Sequence, residues 1–254
     1  MPSHDDITIY TEYLLKAIAG VSNPRALVLG ATPELRDSAL HHGCSTWSID
    51  RNEHALTAMT GVMKEKESVR EQRIVSDWLA YDYAGLQFDV ILADASLNNV
   101  AKEDTPNLLE KMTKHLAPSG FFVTRHLVHL PLRPVRTAEE IIAEHRTGAM
   151  NQYDMYYELR FYSDLATNAY DATTNLSYWG KFFDALDAAY AQGKLKREEY
   201  DSIAWQRSDV IHTMFAKEEW EKLLLQNFSI ADIRYQSAQQ FSAYFPFYIL
   251  QKKK

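Results

Sequence analysis

The sequence predicts an α/β fold, a mostly parallel sheet with helices on both faces, interrupted by a helical insertion. Short apolar runs such as "ALVLG", "FDVILADAS" and "FFVTRHLV" alternate with amphipathic helical patterns. That alternation marks βαβ units, and right-handed crossovers leave few possible strand orders. From about Leu132 to Met214 strand signal becomes sparse and aromatic residues fall on helical spacings. The expected division is an α/β part at 1–131 and 215–254, with the insertion at 132–214.

Taken in order, "IYTEYLLKAIAG" places Ile9, Tyr13, Leu14 and Ala17 on one helical face and stops at Gly20. "ALVLG" has the continuous apolarity of a strand buried on both faces. A helix is expected from Pro33 to about His42, then "STWSID" as the second strand, "EHALTAMTGVMKEK" as a helix and "QRIVSDW" as the third strand. "FDVILADAS" reads as the central strand. In "EDTPNLLEKMTKHL", Thr105 is placed to cap a helix with Pro106 at the first helical position. Leu109, Met112 and Leu116 form its apolar stripe, and "APSG" is expected to end it. After the insertion, "AKEEWEKLLLQN" is a helix, and "FSIADIRY" and "FPFYILQK" are closing strands.

The 254 residues are 46% apolar and 24% charged, ordinary for a globular chain. A net charge of −7 disfavours nucleic acid as a partner, since that affinity comes largely from basic side chains meeting phosphates. The only basic cluster is the terminal "KKK", which reads as a solvated tail. No apolar run is long enough for a membrane helix. "MPSHDDITIY" lacks the pattern of a secretory signal. The single cysteine, Cys44, excludes an internal disulfide and fits a reducing cytoplasm.

In an open parallel sheet, ligands sit beyond the carboxyl ends of the strands where the strand order reverses. Gly30 falls there, and the following helix offers free amide groups to an anion. Asp50 lies 20 residues later at the end of the second strand, the usual place for an acid that binds ribose hydroxyls. Its alternative role is to cap "RNEHAL". Asp77 with Trp78 follows the third strand and suits an adenine, although Trp78 could equally be core. Asp94 ends the central strand, and "ASLNNV" after it adds hydroxyl and amide groups. Three acids at three successive strand ends are more specific than any one alone.

Strand–"LGATPEL"–helix, Asp50, "SDW", "FDVILAD", "LAPSG" and "FPFYIL" together resemble the class I S-adenosylmethionine-dependent methyltransferases. The similarity spans about Tyr10 to Ser119 and Ala216 to Lys252, and it implies a Rossmann-like fold. The resemblance implies that Gly30, Ala31, Thr32 and Glu34 line the methionine portion of S-adenosylmethionine. It places Asp50 and Arg51 at the ribose, Asp77 and Trp78 at the adenine, and Asp94, Ala95 and Ser96 near the sulfonium. The loop reads G-x-T-P-E-L where the family usually has G-x-G. A dinucleotide needs glycines so that its pyrophosphate can rest on bare backbone. S-adenosylmethionine has no phosphate, and side chains such as Thr32 and Glu34 can meet its amino and carboxylate groups. A nicotinamide dehydrogenase is disfavoured on that ground.

The remaining candidates divide between site and scaffold. His126 could reach a substrate as a base or be structural. His126 and His129 fall on opposite sides of a strand and make a poor metal pair. No metal site is expected, and Cys44 reads as a small apolar filler. The insertion's aromatic stripes are core, or a lid whose rings cover a cationic sulfur. Tyr156, Arg160, Tyr178 and Trp179 are the lid candidates. The expected function is methyl transfer to a small-molecule N, O or S nucleophile. The alternatives are aminocarboxypropyl transfer or cyclisation with release of methylthioadenosine, and a non-catalytic binding module.

Overall fold

The computed structural model describes residues 2–130, 135–236 and 240–253. The boundary expected at 131/132 lies outside them. Helix α1 (His4–Ile18) leads into β1 (Arg25–Leu29), α2 (Pro33–His41), β2 (Ser45–Asp50), α3 (Glu53–Gly61) and β3 (Glu71–Val75). Then come β4 (Phe88–Asp94), a 3-10 turn at Ser96–Asn99, α4 (Thr105–His115) and β5 (Leu116–Arg125). Among the described residues the main sheet has seven strands. Its order is β3-β2-β1-β4-β5-β10-β9, where β9 is Phe228–Arg234 and β10 is Phe247–Lys252. Strands β1 to β5 pair in parallel, and β10 runs antiparallel to both neighbours.

The central strands are apolar throughout because each faces two cores. Ala26 and Val28 point into one with Tyr10, Leu14 and Leu35. Leu27 and Leu29 point into the other with Leu109, Met112 and Trp220. Alternating side chains on one strand thus hold helices on both faces of the sheet. Trp220 belongs to α9 (Lys217–Asn227). Cys44 is buried just before β2, and burial pushes its thiol up to about 12, so it is a packing residue at neutral pH.

Several element ends differ from the sequence expectation, each for a local reason. Helix α1 starts at His4 because Ser3 and Asp6 form a reciprocal capping box. Helix α3 ends at Gly61, and the chain beyond is held by Asp37, whose carboxylate accepts from the amides of Lys64 and Glu65. Thr105 is not the cap of α4. It occupies the first turn and donates its hydroxyl proton to the Ala101 carbonyl, with Asp104 at the cap position. "LAPSG" does not interrupt the chain between helix and strand, because β5 begins at Leu116 and takes up the extra residues in a register shift. Gly120 is required there: a Cβ would lie 2.7 Å from the Asp89 carbonyl oxygen.

The chain between β5 and α9 contains α5 (Ala138–Arg146), α6 (Gln152–Tyr162), α7 (Trp179–Ala191) and α8 (Arg197–Ala204). They share a cluster that includes Ile141, Met155, Tyr156, Phe182, Phe183 and Leu186. A small antiparallel sheet also occurs here, formed by β6 (Tyr170–Asp171), β7 (Leu176–Tyr178) and β8 (Ile211–Thr213). Strands this short carry too few alternations to register in the sequence. The insertion is tied to the main sheet by Asn98. Its amide nitrogen donates to the carbonyls of Leu127 (2.9 Å) and Thr213 (2.8 Å), and its oxygen accepts from the Leu127 amide. Thr213 donates its hydroxyl to the Val100 carbonyl at 2.6 Å.

Candidate active site

The strand order reverses between β1 and β4, so the connections after these strands leave in opposite directions and open a cleft at their carboxyl ends. Gly30 sits at the start of that cleft with φ +109°, a conformation that favours glycine. A Cβ there would also stand 3.2 Å from Ser96 Oγ and 3.8 Å from Asp50 Oδ2. Two cavities adjoin the cleft. One, of about 420 Å³, is lined by Asp50, Arg51, Asp77, Trp78, Asn99 and Leu108 among others. The second, of about 560 Å³, is lined by Ala31, Thr32, Asp94, Ala95, Arg125 and aromatic residues of the insertion. Ala55 borders both, and each is of a size that holds a small ligand.

The acids of the first cavity are held by local turns. Asp50 Oδ1 accepts from the Asn52 amide at 2.8 Å, and Asp77 Oδ1 accepts from the Leu79 amide at 2.8 Å. Helix α3 is capped by Asn52, not by Asp50. The Trp78 indole nitrogen donates to the Ile49 carbonyl at 2.6 Å, so this ring contributes a surface and not a donor. At the second cavity, Thr32 precedes α2 without using its hydroxyl as a cap. Glu34, the second residue of that helix, has its Oε2 buried without a hydrogen-bond partner among the described residues. Glu34 itself does not line either cavity.

Asp94 is engaged by Arg125, whose Nε and Nη2 donate to its two oxygens at 2.6 and 3.1 Å. Arg125 also donates to Asp6 of α1. Burial alone would lower the guanidinium pKa, but the neighbouring Asp94, Tyr10 and Asp6 outweigh it and raise the pKa. Ala95 takes a left-handed conformation, φ +53°, which turns the chain sharply from β4 into the 3-10 turn. Ser96 donates its hydroxyl to the Leu29 carbonyl, tying the ends of β4 and β1 together at the point of reversal.

Of the insertion candidates, Arg160 and Trp179 line the second cavity. Tyr156 and Tyr178 do not. Tyr156 packs into the insertion's own core, with its hydroxyl accepting from Arg160 Nη1 at 2.9 Å. Tyr178 lies under the Lys181 ammonium, 4.1 Å from its ring centre. Tyr157, one position on, lines the cavity instead, with His212 and Phe245. A helical stripe includes Tyr156 and Tyr157 equally, and only the packing of α6 separates them.

His126 does not reach either cavity. It is fully buried, stacked 3.8 Å from the Trp220 ring, with Nδ1 unpartnered. Burial, and then the neighbouring His212, push its pKa down to about 3, so it stays neutral in the folded chain. An unfolded histidine titrates near pH 6.5. Below that pH the unfolded chain gains a proton that the folded chain refuses, so stability falls as the pH drops towards the folded value. The fall should approach about 1.4 kcal/mol per pH unit for this group. His126→Phe is therefore expected to lose about 1 kcal/mol less stability than wild type between pH 6 and pH 5. Urea unfolding at the two pH values checks this, and equal losses would contradict a neutral, sealed His126.

Neither a protein-family profile nor a curated protein sequence matches the chain. Solved structures do. A protein of Rhodobacter sphaeroides assigned to the Zn-dependent alcohol dehydrogenases gives a TM-score of 0.60 at 15% identity, over 99% of this chain and 90% of that one. An S-adenosylmethionine-dependent methyltransferase of Clostridium acetobutylicum gives 0.57 at 14% identity, over 98% and 93%. The N-methyltransferase NodS of Bradyrhizobium japonicum, in complex with S-adenosylhomocysteine, gives 0.54 at 13% identity, over 99% and 89%. At these identities the likeness is one of fold. That fold carries proteins named for two different chemistries, so function has to be argued from this chain's own side chains. Among the described residues, no three or more His, Cys, Asp or Glu are grouped to hold a metal ion. No helix among them is long and apolar enough to cross a membrane.

Proposed function

We propose that this chain is an S-adenosylmethionine-dependent methyltransferase acting on a small molecule, with adenosine in the first cavity and the methionine end and acceptor in the second. The observation that carries the proposal is the convergence of Asp50 and Asp77, from neighbouring strand ends, on one cavity beside Gly30. A carboxylate at Asp50 suits the two ribose hydroxyls, and the face of Trp78 suits a flat base. The uncapped start of α2 beside Thr32 fits a carboxylate, one of the two charged groups of a methionine. In this reading the G-x-T-P-E-L loop is the methionine-binding form that the sequence suggested.

S-adenosylmethionine supplies an electrophilic methyl group on a positively charged sulfur. The protein's task is alignment and exclusion of water. Tyr157, Trp179 and Phe245 wall the second cavity with aromatic surface, which favours a cation by about 0.5–2 kcal/mol. Asp94, held rigid by Arg125, places a negative charge on the same wall. The chain segment 132–214 serves as the substrate-selecting cover, and 1–131 with 215–254 as the cofactor-binding part. With His126 sealed away, no base is assigned to the reaction.

Calorimetry with S-adenosylhomocysteine is expected to give one saturable site, and its absence at millimolar ligand would end the proposal. Turnover of S-adenosylmethionine, followed by chromatography, is expected to release S-adenosylhomocysteine. Methylthioadenosine as the product would move the assignment to aminocarboxypropyl transfer or cyclisation.

A further inference from the structure

The second cavity contains two arginines in opposite states. Arg125 is neutralised by Asp94 and Asp6. Arg160 is only 4% exposed; among the described residues its one hydrogen bond is to the Tyr156 hydroxyl, and Nη2 has no partner. No ion pair among the described residues includes it, and the groups that bear on its charge are Tyr156 and Tyr157. Burial draws its pKa down to about 10, which leaves it charged at neutral pH. An arginine so placed has an unfilled need for an anion.

Two further unpartnered polar atoms lie on the same wall. Trp179 Nε1 and His212 Nδ1 are both buried without a hydrogen-bond partner, and their rings are 4.8 Å apart. An indole nitrogen can only donate. Burial, and then Arg160 itself, push the His212 pKa down to about 4 against a hydrogen bond to the Asn98 backbone, so the ring is neutral and brings no competing positive charge. The guanidinium carbon of Arg160 is 3.0 Å from the Trp179 ring centre.

We propose that Arg160, with Trp179, forms a subsite that binds a carboxylate group on the methyl acceptor. The inference rests on the methyltransferase reading. It narrows the acceptor to a small organic acid with a flat or apolar body. One unpaired cation matches one negative charge, and a guanidinium beside an indole N–H matches a planar carboxylate. Tyr157 and Phe245 on the same cavity supply apolar walls for the rest of the molecule. The other carboxylate available to the site is that of the cofactor's methionine. The proposed methionine end lies at Thr32 and the start of α2, whereas Arg160 belongs to the insertion.

Benzoate and its neutral isostere benzamide are the probes, titrated by calorimetry into protein saturated with S-adenosylhomocysteine. Wild type is expected to bind benzoate at least tenfold more tightly than benzamide. Arg160→Gln should remove that preference while leaving affinity for S-adenosylhomocysteine within twofold. Trp179→Phe keeps an aromatic ring but loses the N–H, and should weaken benzoate severalfold. It decides the matter if Arg160→Gln does not fold. Equal binding of benzoate and benzamide to wild type, or no saturable benzoate binding, overturns the proposal. So does an Arg160→Gln protein that loses S-adenosylhomocysteine but keeps benzoate, since Arg160 would then hold the cofactor. If wild type binds no S-adenosylhomocysteine, the cofactor reading fails by itself, and titration of benzoate alone still reads the subsite.

Discussion

Asp50→Ala is expected to weaken S-adenosylhomocysteine binding by roughly a hundredfold. A hydrogen bond to a charged group contributes about 1.5–3 kcal/mol, and a ribose offers two hydroxyls to one carboxylate. Water will meet part of that loss in the variant, and about 2.7 kcal/mol corresponds to a hundredfold. The geometry favours the assignment. Oδ1 is held by the Asn52 amide, while Oδ2 is the oxygen facing Gly30. Asp50→Asn retains an acceptor for the Asn52 amide but replaces the charged oxygen facing Gly30 by an N–H donor, so it should fall between the two. Calorimetry on the three proteins tests the order, and equal affinities would remove adenosine from the first cavity.

Glu71→Ala is expected to lower stability by about 3–5 kcal/mol without changing ligand affinity in the folded protein. Arg36 and Glu71 form an ion pair with side chains 0% and 1% exposed, at 2.7 Å. Ser48 donates to the same carboxylate at 2.7 Å, and Arg36 Nη2 donates to Thr60 Oγ1 at 2.6 Å. Glu71 also pairs with the half-exposed Arg73 at 3.7 Å, so removing the acid leaves the buried Arg36 guanidinium without a counter-charge and beside a second cation. The melting temperature should fall by roughly 10 °C for a chain of this size. The double variant Arg36→Met, Glu71→Leu should recover most of the loss, because replacing both charges by apolar groups avoids the unpaired state. Urea unfolding measures both, and a loss under about 1 kcal/mol for Glu71→Ala would mean that water reaches Arg36. Glu71 begins β3, while Asp77 follows its other end, so binding and stability should separate.

The main sheet was legible because its central strands are buried on both faces, which leaves unbroken apolar runs in "ALVLG" and "FDVILAD". That Asp50 and Asp77 stand at the carboxyl ends of neighbouring strands was legible too, because each short strand pattern, "STWSID" and "QRIVSDW", runs out at an acid. What escaped was set by contacts distant in sequence. Nothing near Arg36 announces Glu71, 35 positions away, and nothing near Asn98 announces the Thr213 carbonyl. The choice between Tyr156 and Tyr157 depends on how α6 is rotated against its neighbours, a quantity the helical period leaves open. His126 looked like a candidate base because the strand ends at Arg125, yet the α9 side chain Trp220 covers it. His212 gave no signal, since its strand is three residues long.

Asn98 has a consequence for how anything enters the cleft. Its one side chain grips backbone from two distant parts of the chain, and the residue beside Thr213 is His212, which borders the second cavity. That edge of the insertion is anchored to the floor. It cannot swing outward without breaking buried backbone contacts. The anchored edge is thus a fixed wall of the second cavity.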